Sequence, residues 1–123
     1  MSYNSLAYLS WSAERNVTQY FKPSLLGGYV EYDVDLSRQE CNCIAAFYAV
    51  KMPGRNPDGS YHYNDPFAYC DANQVGGLYC PEFDLMEANK VSFNGTAHKC
   101  DAPNAFGYYN NCDHDGQCFV KAV

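Results

Sequence analysis

Residues 78–88, Leu78-Tyr79-Cys80-Pro81-Glu82-Phe83-Asp84-Leu85-Met86-Glu87-Ala88, follow the turn signal Gly76-Gly77 and read as a strand. Residues two apart on a strand share a face. Glu82 and Asp84 therefore point one way, and Phe83 and Leu85 are expected to point into the core. Glu87 lies five positions from Glu82, on the wrong face of a regular strand. A β-bulge between Asp84 and Glu87 would return it to the side of the other two acids.

Three carboxylates on one sheet face repel, and repulsion separates their protonation states. One can stay ionised as a nucleophile while another is held protonated as a general acid. That division of labour is what retaining glycoside hydrolysis requires, with carboxyl groups about 5–5.5 Å apart. On the hexapeptide alone, a solvated strand edge is the plainer reading.

Two further strands are expected. Tyr29 to Leu36 alternates apolar and acidic residues after Gly27-Gly28, and Ile44 to Met52 is a continuous apolar run ended by Pro53-Gly54. Residues 55–66 are rich in Asn, Pro, Asp, Gly and Tyr and read as a surface loop. The tail from Asn94 onward reads as turn-rich and cysteine-stapled. Helical periodicity is nearly absent. The fold class is all-β, with sheets packed as a sandwich in one domain spanning 1–123.

Composition narrows the partners. The net charge is −6, with 8 Lys and Arg, which argues against nucleic acid because phosphate recognition needs a basic face. No run of about 18 apolar residues exists to span a membrane as a helix. Twelve tyrosines against one tryptophan make an acidic, tyrosine-rich surface suited to carbohydrate or protein contacts. Seven cysteines without a C-x-x-C pair read as disulfides rather than zinc ligands, and so as an oxidising compartment. The sequons Asn16-Val17-Thr18 and Asn94-Gly95-Thr96 agree with secretion and make Asn16 and Asn94 candidate glycosylation sites. Residues 1–12 show no basic start followed by an apolar stretch, so a secreted chain is expected here in processed or partial form. Asp113-x-Asp115-Gly116 lacks the remaining ligands of a calcium loop and reads as a turn. No metal or cofactor is expected.

The stretch Glu82 to Asn89 resembles the catalytic signature of glycoside hydrolase family 7, Glu-x-Asp-x-Trp-Glu-Ala-Asn. Leu25-Leu26-Gly27, Tyr32 to Ser37, Cys41, Tyr48-x-Val50-x-Met52, Tyr69-Cys70-Asp71, Thr96 to Cys100 and Cys112 to Gly116 are similar to family segments in the same order. The resemblance implies a concanavalin-like, jelly-roll sandwich and a retaining β-1,4-glucanase acting on cellulose-type chains. It implies Glu82 as nucleophile, Glu87 as acid/base, and Asp84 as the hydrogen-bond partner that tunes Glu82. Tyr48, Asp71 and His98 would line the cleft, and Cys70 would pair with Cys80 and Cys100 with Cys112.

The chain departs from the family in ways that matter. It corresponds to the middle of a much longer domain. Met86 stands for the motif tryptophan, Ile44 for a cleft asparagine, Asn73 for a cleft glutamine, and the cleft arginine has no counterpart. Missing strands leave sheet edges and an apolar face uncovered and take away the family partners of Cys41 and Cys118, which with the extra Cys43 leaves three cysteines unassigned. The alternatives to an enzyme are therefore an extracellular filament subunit, self-associating through strand edges or these cysteines, and a glycan-binding module.

Overall fold

A computed structural model describes residues 6–14, 16–40, 42–62 and 66–122. The described residues contain no helix and one antiparallel sheet in the order β1-β2-β3-β4: Ala45–Val50, Glu82–Asn89, Ser92–His98 and Cys118–Ala122. Asn89 closes the β2–β3 hairpin, its Oδ1 accepting the N–H groups of Val91 and Ser92 at 2.9 and 3.0 Å. That is the local side-chain capping that makes Asn a turn former.

One extra residue distorts the middle of the sheet. Asp84 pairs with Thr96 and Glu87 with Asn94, so Leu85 and Met86 together oppose Gly95. On the other side Tyr48 pairs with Asp84 and Phe47 with Met86, passing over Leu85. The bulge restores Glu87 to the face of Glu82 and Asp84. Gly95 leaves it room, since a Cβ there would lie 3.3 Å from the Asp84 carbonyl oxygen.

The two sheet faces are unequally covered, and not as the alternation predicted. Asp84 is buried on the acid-bearing face, whereas Phe83 on the opposite face is 47% exposed and Leu85 only half-buried. Among the described residues no second sheet lies against that apolar face. Part of it, around Phe47, is covered by Tyr32, whose ring meets Phe47 edge-on at 5.0 Å and whose hydroxyl donates to the Leu85 carbonyl at 3.0 Å.

The segment Tyr29–Leu36 is thus not a strand. Its alternation suits an extended chain, but a strand also needs a neighbour for its N–H and C=O groups, and among the described residues none forms a ladder with it, while Tyr32 docks it by its side chain. The third predicted strand begins at Glu82 rather than Leu78. Pro81 cannot donate to a ladder, and Tyr79 makes only isolated bridges to Asp71 and Tyr109. Within the tail predicted as turns, Ser92–His98 and Cys118–Ala122 are strands.

The main buried cluster lies beside the sheet, and within the sheet Met86 and Ala88 of β2 are buried as well. Cys70, Leu78, Cys80 and Tyr109 are buried together, with Val50, Met52 and Cys100 packed around them. Disulfides join Cys70 to Cys80 and Cys100 to Cys112, fixing two loops that a four-stranded sheet could not hold by burial alone. Cys118 is a free, exposed thiol on the edge strand β4, and Cys41 lies outside the described residues.

Between Cys112 and β4 the chain turns at Gly116, at φ +69°, where an added Cβ would overlap Thr96 and sit 3.0 Å from the His98 ring. Gly116→Ala is expected to destabilise the protein by about 1–3 kcal/mol, measured by urea denaturation. It should also shift the His98 imidazole resonances.

Candidate active site

The bulged ladder sets Glu82, Asp84 and Glu87 on one face, opposite Val50, Tyr48 and Ala46 on β1 and His98, Thr96 and Asn94 on β3. Residues directly opposite in an antiparallel pair share a face. Seven polar or ionisable side chains are therefore gathered over the middle of the sheet.

Asp84 and His98 form the buried centre, at 4% and 9% exposure. His98 Nδ1 lies 2.7 Å from the Asp113 carbonyl oxygen. A carbonyl only accepts, so Nδ1 carries a proton. Nε2 faces Asp84 Oδ2 at 3.0 Å. The pair shares one further proton, as imidazolium against carboxylate or neutral ring against carboxylic acid, and titrates as a unit. Burial raises the Asp84 carboxyl above its ordinary value, opposed by the charge of His98 and by hydrogen bonds to His98 and Glu82. For His98 burial works the other way, but the Asp113 carbonyl and the negative charge of Asp84 outweigh it and leave the ring more basic than usual.

Glu82 is anchored from a loop. Its Oε2 accepts the Ala72 N–H at 2.9 Å. Burial pushes its pKa up to about 7; the Ala72 hydrogen bond opposes this, and the charges of Asp84 and Asp71 add to it. Glu87 is also raised, first by burial and then by Asp84, against the opposing charge of His98. Every carboxyl of the cluster thus holds its proton more tightly than in water, because burial and like charge disfavour full ionisation.

Asp71 shapes the loop that carries Ala72. It is buried, with Oδ1 accepting the N–H groups of Asn73 and Val75 at 3.0 Å each. Its carbonyl accepts from Cys80 N–H at 3.0 Å, and the Cys70–Cys80 bridge clamps the same loop. Tyr48 hydrogen-bonds Tyr69 hydroxyl to hydroxyl at 3.1 Å. Burial and the neighbouring carboxylates keep the Tyr48 phenol protonated, and Tyr69 is raised further still.

The two sequons differ in setting. Asn16 is exposed in a turn, its Oδ1 accepting from Thr18. Asn94 lies inside β3 directly opposite Glu87, and Thr96 of the same sequon is buried. A glycan on Asn94 would fill the ground in front of Glu87, so an open cleft and modification there exclude each other.

Three contributors escaped the sequence reading. The Ala72 N–H and the Asp113 carbonyl are backbone groups with no residue signature. Tyr69 was legible only as a neighbour of Cys70 and Asp71.

The chain is similar to fungal endoglucanases, distantly and in part. It is 29% identical over 126 aligned residues to endoglucanase type C of Fusarium oxysporum, covering 85% of this chain and 29% of that protein. Over 119 aligned residues it is 32% identical to the probable endo-beta-1,4-glucanase celB of Aspergillus fumigatus and to that of Neosartorya fischeri, covering 79% of this chain and 29% of each relative. No family model matches the chain, and no solved structure matches it. The chain therefore spans about three tenths of the length of these curated relatives.

Proposed function

We propose that the chain carries the catalytic floor of a retaining β-1,4-glucan hydrolase of the glycoside hydrolase family 7 type. The observation that carries this reading is the connected line Glu82–Asp84–His98–Asp113 with Glu87 returned to the same face by the bulge. Partial similarity to endoglucanases supports it. In this reading the sheet is one layer of a concanavalin-like sandwich, Tyr48, Asp71 and His98 border the cleft, and the disulfides suit an extracellular protein.

The roles of the carboxyls in this reading are those the family resemblance implies. Glu82 attacks the anomeric carbon through the oxygen not held by Ala72 N–H, while Glu87 protonates the departing glycosidic oxygen. The resulting glycosyl ester is cleaved when Glu87 takes a proton from water and that water attacks the same carbon, restoring both carboxyls. Glu82 and Glu87 stand about 13 Å apart along the flat strand, so their side chains must lean together over Asp84 to reach the retaining separation. Asp84, sharing a proton with His98, sits between them without adding a full third charge.

Release of reducing ends from a soluble β-1,4-glucan tests the reading. Glu82→Gln is expected to abolish it by at least roughly a thousandfold while leaving the circular dichroism spectrum unchanged. Unchanged turnover would overturn the assignment.

The same electrostatics govern stability. Glu82 titrates near 7 in the fold against an ordinary 4.5. A carboxyl raised by folding favours the native state below its unfolded value and loses that contribution as pH rises through its folded value. The melting temperature should therefore fall between about pH 5 and pH 8, and Glu82→Gln should flatten the slope. A wild-type melting temperature that does not fall over that range would contradict the burial assigned to Glu82.

A second reading, self-association as an extracellular assembly subunit, is favoured by the open edge of β4 and the exposed Cys118 thiol. It predicts a dimer band on non-reducing gels that Cys118→Ser removes.

A further inference from the structure

Leu85 is the residue that the sheet leaves over. It has no partner on β1, where Phe47 pairs with Met86 and Tyr48 with Asp84, and on β3 it shares Gly95 with Met86. Every other residue from Glu82 to Ala88 is paired on at least one side. The extra residue of a bulge loses its place in the ladder, and a half-buried carbonyl left without a donor favours a return to regular pairing. Here the donor comes from outside the sheet. Tyr32, 53 residues away in sequence, gives its hydroxyl proton to the Leu85 carbonyl at 3.0 Å.

Two further observations hold Tyr32 in that place. Its ring meets Phe47 edge-on at 5.0 Å, and Phe47 is the β1 residue opposite Met86, the second residue of the bulge. The segment that carries Tyr32 is fastened again beyond the hairpin turn. Lys90 N–H donates to the Gln39 carbonyl at 3.4 Å, and Lys90 Nζ meets Glu40 Oε2 at 3.0 Å. Residues 32–40 are thus tied to β2 at its bulge and to the β2–β3 turn at Lys90.

The competing register has a definite consequence for the acids. With Leu85 paired regularly to Gly95, Met86 would stand opposite Asn94 and Glu87 opposite Phe93. A slip of one residue turns each side chain to the other face. Glu87 would leave Glu82 and Asp84 for the apolar side, and Met86, 4% exposed where it stands, would come out beside them.

We propose that Tyr32 is a positioning residue for Glu87: its hydroxyl, supplied from the apolar side of the sheet, caps the Leu85 carbonyl and so holds the bulge that keeps Glu87 on the acid-bearing face. The kinetic half of the test rests on the hydrolase reading, and the register half does not.

Tyr32→Phe keeps the ring on Phe47 and removes only the hydroxyl. On a soluble β-1,4-glucan it is expected to lower kcat roughly tenfold and to leave KM within about twofold, because the acid is displaced while the rest of the face is not. In the nuclear magnetic resonance spectrum the cross-strand Overhauser contact between the Glu87 and Asn94 backbones should weaken, with a second set of Glu87 signals in contact with Phe93. Phe83→Leu, which thins the same apolar face without touching the hydroxyl or its acceptor, should change neither readout. An intact Glu87–Asn94 contact with a single set of signals in Tyr32→Phe would overturn the proposal whatever the kinetics. The same kcat loss and the same second set in Phe83→Leu would also overturn it, by assigning the effect to general loosening of that face. A wild-type protein without hydrolysis, whose Glu87–Asn94 contact is nevertheless lost in Tyr32→Phe, would remove the hydrolase reading and uphold Tyr32 as the holder of the register.

Discussion

The contact between Asp84 Oδ2 and His98 Nε2, 3.0 Å long and almost closed to water, is what lets three acids occupy one sheet face. A buried carboxylate without a partner is costly, and its two neighbours on the same strand would add repulsion. The imidazole supplies the missing proton, and the Asp113 carbonyl fixes which nitrogen offers it. The loop holding that carbonyl is itself held, because Asp113 Oδ1 and Oδ2 accept the N–H groups of Gly116 and Gln117 at 3.1 and 2.9 Å. The Cys100–Cys112 bridge anchors the loop's near end. A covalent staple thereby governs a protonation state several residues away.

The polar face is more completely built than the apolar one. Loops 70–80 and 100–116 converge on the acids, bringing the disulfides, the buried Tyr109, the Ala72 N–H as donor and the Asp113 carbonyl as acceptor. The other face has Tyr32 over Phe47 but leaves Phe83 substantially in water. Burying such a ring contributes about 1.5–3 kcal/mol, so this face is where added cover would most stabilise the sheet. Val120 on the edge strand, 70% exposed, is in the same position.

How much was legible in the sequence follows from how local each cause is. The grouping of Glu82, Asp84 and Glu87 depends on strand alternation plus one extra residue, both readable within the hexapeptide. The strand Ala45–Val50 was readable because its apolar run needs no special partner. Ser92–His98 was hidden by Asn94-Gly95, a dipeptide that normally signals a turn; here the turn is at Asn89 and Gly95 makes room for the bulge. Tyr29–Leu36 failed in the opposite direction, because alternation describes a strand's faces and says nothing about its neighbours. The placement of Phe83 in a core failed for the same reason, since a core requires a second layer and no single strand encodes one. The anchoring of Glu82 by the Ala72 N–H was beyond reach, since every residue except proline carries that donor.

Glu82, Asp84, Glu87 and His98 all lie on the single hairpin β2–β3, closed by the short turn at Asn89. Closing so short a loop is entropically cheap, so the hairpin can assemble ahead of the long-range loops that deliver the Ala72 N–H and the Asp113 carbonyl. During that interval the carboxylates face one another with only His98 to moderate them. Mild acidity, by keeping their protons on, would ease the chain through this stage. On that order of events, pH would bear on how the chain assembles as well as on the finished fold.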